Sequence, residues 1–213
     1  MDVPDPHPAE APTPTSRALL CISLWIPLLL VGLAATWSYE LRPGLAAEAP
    51  ARWPTQHAGP TPDQWTLLLF AHPRCPCTRA SVAELERLLV RAAVRPEVRV
   101  HFYLPAEEAS DWARTATWRH AARLPGVAVH TDVDGELARA FGAHTSGQVL
   151  LYDARGRLAF EGGLTPSRGH EGDNSGRFAI EELLAERAPR ERSSPVFGCE
   201  LIGSCRPDSA PTP

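Results

Sequence analysis

The sequence predicts a mixed α/β domain of three layers, with helices on both faces of a sheet, preceded by one apolar N-terminal helix. Three observations predict it. About twenty residues near the N-terminus carry no formal charge, enough to cross a bilayer as a helix. From Trp65 onward, short apolar runs alternate with segments whose apolar residues recur at three- and four-residue steps. Towards the end, two apolar runs flank a tight connection, and a last helical stripe follows.

The charge-free run is 18–37, "ALLCISLWIPLLLVGLAATW". Arg17 closes one end, and Trp37, Tyr39 and Arg42 mark the other as interfacial anchors do. The leader carries Asp2, Asp5 and Glu10 where a secretory signal is basic, and the run is longer than the usual signal core. A retained single-pass anchor is therefore expected. A cleaved signal peptide, with Leu33-Ala34-Ala35 supplying the small-residue cleavage site, is the second reading. Either places the rest at the cell membrane on its periplasmic or exterior side, where thiol pairs can be oxidised.

The soluble elements follow in order. "WTLLLFAH" reads as a strand buried on both faces and ended by Pro73. In 78–94, Val82, Leu85, Leu88, Leu89 and Ala92 form one helical stripe. "VRVHFYLP" is a second strand, 106–124 a second helix with Trp112 and Ala116 on a shared face, and "GVAVHTD" a third strand. Asp132 or Asp134 can cap a short helix over 136–141 that stops at Gly142. "QVLLYD" and "RLAFEGG" form a hairpin, and 177–187 is the last helix, opened by Asp173, Asn174 or Ser175. Right-handed crossovers would place the first strand centrally.

Composition narrows the function classes. The 213 residues suit one domain with appendages. All 21 basic residues are arginine, the net charge is −4 and no basic stripe stands out, which argues against nucleic acid. The 22 prolines crowd into 2–15, 43–62 and the stretch from Pro189 onward, which read as flexible arms. The expected organisation is an arm (1–17), an anchor (18–37), a linker (38–62), the α/β domain (63–188) and a cysteine-containing tail (189–213).

Two of the five cysteines, Cys75 and Cys77, sit where the first strand meets the first helix. A helix N-terminus offers unpaired N–H groups and partial positive charge, which favour thiolate, and Arg74, Arg79 and His72 add to that field. Pro76 suits the first turn, where its missing N–H is no loss. The expectation is an accessible, anionic Cys75 at the rim of the domain. Two residues along a helix turn about 200°, so a Cys75–Cys77 disulfide would require the first turn to open.

This order of elements, with cysteines between the central strand and its helix, resembles the thioredoxin fold over about 65–187. It is most similar to membrane-tethered thioredoxin-like oxidoreductases, among them the predicted redox proteins called RedB. Phe70 lies five residues before Cys75, and Leu85 and Leu88 lie ten and thirteen after it, as around that family's Cys-x-x-Cys motif. The resemblance implies that Cys75 is the nucleophile, exchanging with protein thiols or disulfides through a mixed disulfide. It puts Thr78 at the second catalytic position, Cys77 one residue early, and Ser146-Gly147 at the docking turn where the family carries a cis-proline.

Alternatives remain open on the residues. Cys77 or Cys199 can resolve the mixed disulfide, and Val196, Phe197, Leu201 and Ile202 suggest that the tail around Cys199 docks on something. Cys199 and Cys205 can instead pair as a structural staple, and Cys21 is expected to be inert. His170 or Glu171 is a candidate proton carrier. Exchange needs no cofactor. A rival reading gives His72, Cys75 and Cys77, with His144 as a fourth ligand, to copper or another soft metal. A thiol peroxidase or a noncatalytic interaction domain completes the alternatives.

Overall fold

The computed structural model describes residues 14–45 and 48–202. The chain divides into two compact units, one ending at Glu40 and one beginning at Leu41.

The described residues of the first unit form one helix, α1 (Pro14–Glu40). Its stretch Ala18–Glu40 contains an 18-residue window with a mean hydropathy of 2.4, none of it buried, and is long and apolar enough to cross a membrane. A helix apolar all round gains nothing by facing water, unlike an amphipathic one.

The second unit is built around a five-stranded mixed sheet. Its elements are β1 (Thr66–Ala71), α2 (Pro76–Arg91), β2 (Glu97–Leu104), α3 (Ala116–Ala121), β3 (Val127–Val133), α4 (Glu136–Ala140), β4 (Gln148–Tyr152), β5 (Leu158–Gly163) and α5 (Ser175–Leu184). The spatial order is β3-β2-β1-β4-β5, which makes β1 central as the crossover rule requires. β1 runs parallel to β2 and antiparallel to β4, with Phe70 opposite both His101 and Gln148. Its side chains alternate between two cores. Leu67, Leu69 and Ala71 meet Val82, Leu85 and Leu88 of α2 and Ile180 of α5, while Leu68 and Phe70 meet Ala138 of α4 and Phe141 beyond it.

Three expectations are corrected. The helix expected over 106–124 shrinks to Ala116–Ala121, because the preceding residues form successive turns and Thr115, in extended conformation, caps Trp118 N–H with its side chain. Trp112 thereby leaves any helix face and packs beside His72. The linker is no free arm. A five-residue α4 cannot cover the second face of β1 and β4, and Trp53 completes it, packed edge-on against Phe141 and Tyr152 at 5.0 and 5.1 Å. Tail residues 192–201 also pack, with Val196, Phe197 and Leu201 buried.

Local signals act largely as read. The Asp132 carboxylate accepts Leu137 N–H and Ala138 N–H at 2.8 and 2.9 Å, capping α4 although Gly135 stands at the N-cap position. Asn174 caps α5 through Arg177 N–H at 2.8 Å.

A buried charge pair was not legible. Glu84 of α2 and Arg177 of α5 are both almost fully buried, and Arg177 Nε reaches Glu84 at 3.1 Å. Glu84 also accepts Gly172 N–H at 2.7 Å and pairs with Arg87, while Arg177 holds Asp173 and Glu181. Removing one member strands a charge. Arg177→Met is expected to cost about 3–5 kcal/mol of unfolding free energy by chemical denaturation, against under about 1 kcal/mol for Glu171→Ala at the exposed end of the network.

Candidate functional site

The site forms where β1 runs into α2. Pro73 ends the strand, Cys75 N–H donates to His72 C=O at 3.1 Å, and Cys75 is the N-cap residue of α2 with extended φ and ψ of −78° and 125°. Its carbonyl accepts Thr78 N–H at 3.1 Å. Cys75 thus stands just outside the helix and only Cys77 lies within it. The 200° separation expected for two helical residues does not apply. Instead, the Cys77 thiol has Cys199 and Cys75 as interacting neighbours, and none of the three is in a disulfide.

Burial changes the expected chemistry. Cys75 is 3% exposed and Cys77 7%, so neither sits on an open rim. Hydrogen bonding to Cys199 and Cys75, then burial, push the Cys77 thiol far up and hold it protonated. His72 is 2% exposed, stacked on Tyr103 at 5.7 Å. Burial lowers its pKa, a charge on Cys199 works the other way, and Arg74 lowers it further. His72 is neutral rather than the cation expected. Its Nδ1 accepts Arg74 N–H at 3.2 Å, which leaves the ring proton on Nε2. The Arg74 guanidinium lies over the Trp112 ring, 4.3 Å from its centroid, and Arg79 is exposed. The helix N-terminus remains the source of positive potential at Cys75.

Ser146 ties the site together. Its Oγ accepts His72 N–H at 2.8 Å and shares a 2.8 Å hydrogen bond with Thr78 Oγ1, which also donates to His72 C=O at 2.8 Å. Thr78, at the position where the resemblance implies a second cysteine, is a brace. Gly147 has φ +96° and its N–H donates to Phe70 C=O at 2.8 Å. A Cβ there would stand 2.7 Å from Ser81 Oγ, so the turn approaches α2 only with glycine.

The tail completes the site, which sequence reasoning reached only as one option. Ser146 N–H donates to Cys199 C=O at 2.9 Å and Leu201 N–H to His144 C=O at 2.8 Å, framing an antiparallel bridge between Thr145 and Glu200. The visible signal was the apolar company of Cys199. Cys205 lies outside the described residues, so the Cys199–Cys205 staple does too.

Other candidates lie elsewhere. His170 is exposed and bonds Arg168 C=O at 2.8 Å, while Glu171 pairs with Arg87 at 2.8 Å. Arg87 is about three helical turns beyond Cys75, so this loop attends α2's far half instead of carrying protons for the cysteines. His144 is exposed and meets the tail through its backbone. Among the described residues no group of three or more His, Cys, Asp or Glu side chains is arranged to hold a metal ion, so the His72, Cys75, Cys77 and His144 set is not assembled. Cys21 is exposed on α1.

Central β1, the parallel β1-α2-β2 unit and the antiparallel β4-β5 hairpin closed by α5 define a thioredoxin-like fold. Solved structures share the architecture. An uncharacterized conserved protein from Geobacillus kaustophilus is similar with a TM-score of 0.55 at 20% identity, over 78% of this chain and 94% of that one. A hypothetical protein from Sinorhizobium meliloti 1021 is similar with a TM-score of 0.54 at 20% identity, over 67% and 81%. The pneumococcal exposed lipoprotein thioredoxin of Streptococcus pneumoniae strain TIGR4 aligns at a TM-score of 0.42 and 18% identity, over 58% and 85%. No protein-family model matches the chain, and no curated protein is significantly similar to it.

Ser146→Ala removes the acceptor of a buried N–H and is expected to cost about 1–3 kcal/mol in urea denaturation. It should also raise the alkylation rate of Cys77. Unchanged stability and labelling would deny Ser146 its bracing role.

Proposed function

We propose that this protein is a membrane-tethered thiol–disulfide oxidoreductase acting outside the cytoplasm on protein thiols or disulfides, with Cys75 as nucleophile and Cys77 as second thiol. The observation that carries the reading is the placement of Cys75 at the N-cap and Cys77 in the first turn of α2, both buried and with interacting thiols. Cys75 stands at the N-cap of α2, at the positive end of the helix. The helix Ala18–Glu40, long and apolar enough to span a bilayer, supports the tether.

The reaction follows from the positions. The Cys75 thiolate attacks one sulfur of an incoming disulfide, which expels the other sulfur as a thiolate and leaves a mixed disulfide on Cys75. Cys77 then attacks the Cys75 sulfur and releases the second thiolate. Because Cys77 is held protonated, its attack waits on proton loss, and the departing thiolate is a ready acceptor. Neutral His72 leaves Cys75 without a permanent imidazolium partner. The proposed thiolate thus rests on the helix terminus. Burial of Cys75 requires the surrounding segments to part before a protein disulfide can enter.

With the full chain in detergent micelles and glutathione disulfide as substrate, Cys75→Ser is expected to reduce exchange to the uncatalysed rate. Cys77→Ser should accumulate a glutathione adduct on Cys75. Undiminished exchange in Cys75→Ser would remove Cys75 from the mechanism.

A further inference from the structure

The chain after α5 follows a prepared path. Glu161 N–H donates to Arg192 C=O and Ser194 N–H to Glu161 C=O, both at 3.1 Å, so the tail first joins the outer edge of β5 in parallel. Ser194 Oγ accepts Gly163 N–H at 3.0 Å and donates to Gly163 C=O at 2.9 Å. A Cβ on Gly163 would stand 2.8 Å from Pro195 O, so the bare end of β5 admits the tail backbone. The tail then crosses to the turn before β4, where a Cβ on Gly198 would collide with Ser146 C=O. Buried Val196, Phe197 and Leu201 fix this course on either side of Cys199. The tail also covers an edge that would otherwise present unpaired backbone groups.

This path brings Cys199 to the start of α2: Ser146 N–H donates to Cys199 C=O at 2.9 Å while Ser146 Oγ bonds Thr78 Oγ1 at 2.8 Å, next to Cys77, whose thiol interacts with both Cys75 and Cys199. Cys75 and Cys77 are buried, whereas Cys199 is only partly so. A two-thiol exchanger has no use for a third sulfur delivered by so specific a backbone route. A structural cysteine would not need to touch the reactive pair.

We propose that Cys199 is a third redox thiol of this site, which takes over the disulfide from Cys75 and Cys77 and presents it to an outside thiol. This rests on the exchange reading and extends it. After Cys75 and Cys77 have been oxidised by a substrate disulfide, the Cys199 thiolate attacks the Cys77 sulfur. The Cys77–Cys199 bond forms, the Cys75–Cys77 bond breaks, and Cys75 leaves as a thiolate. The protons of Cys77 and Cys199 end on the two thiols derived from the substrate, and those two cysteines supply its two electrons. An external thiol can then attack Cys199, the most exposed of the three, and a second such thiol completes the reduction.

The test uses the reduced full chain in detergent micelles, treated with glutathione disulfide, quenched with N-ethylmaleimide and mapped by tandem mass spectrometry of tryptic peptides. The peptide "CPCTR" is expected with Cys75 alkylated and Cys77 joined to Cys199. In Cys199→Ser, oxidation should stop at Cys75–Cys77, and alkylation of Cys75 should be lost. A wild-type chain that accumulates Cys75–Cys77 while Cys199 stays alkylated overturns the relay and leaves two-thiol exchange standing. A Cys199–Cys205 disulfide overturns it too, making the tail a staple. Absence of any protein disulfide would overturn both the relay and the exchange reading.

Discussion

The site depends on how Ser146 is bonded. Its hydroxyl accepts the backbone of His72 at the end of β1 and meets Thr78 in the first turn of α2, while its amide holds Cys199. The β1–α2 junction and the tail, more than a hundred residues apart in sequence, are fixed to one residue of the turn before β4. Each of these segments contributes a chemically active side chain or sits beside one. Buried polar groups must find partners, and here the requirement that Ser146, Thr78 and the His72 backbone satisfy one another also positions the sulfurs.

The thiol chemistry that follows differs from a simple exposed nucleophile. Cys75 lies at the N-cap of α2 and makes no side-chain hydrogen bond to the helix backbone. It is buried, and the neutral state of His72 withholds a cation. Cys77, buried and interacting with Cys199 and Cys75, is kept as a thiol. The tail that carries Cys199 is anchored by backbone hydrogen bonds at discrete points.

The layered fold was legible because it rests on local periodicity. Continuous burial of "TLLLFA" on both faces, the stripe of α2 and the tight turn of the hairpin are each written in adjacent residues. What escaped depends on long-range partners. Glu84 and Arg177 look like surface charges until α2 meets α5, and Trp53 sits in a proline-rich stretch that resembles a linker until the thin second face needs a cover. The same holds within the site. Cys75 and Cys77 were placed correctly at the strand–helix junction, but the N-cap conformation that brings their sulfurs together, the neutrality of His72 and the seating of Cys199 arise from packing that no window of sequence contains. His170 and Glu171 stood out by residue type, and their loop is held instead by Glu84 and Arg87.

Dibromobimane, which fluoresces once it has bridged two neighbouring thiols, tests directly whether Cys77 has Cys75 and Cys199 beside it at the start of α2. In the reduced chain carrying Cys205→Ser, a bridged product is expected that joins Cys77 to Cys199 or to Cys75 and disappears when Cys77→Ser is added. Singly alkylated cysteines without any bridge, or a bridge indifferent to Cys77, would contradict it.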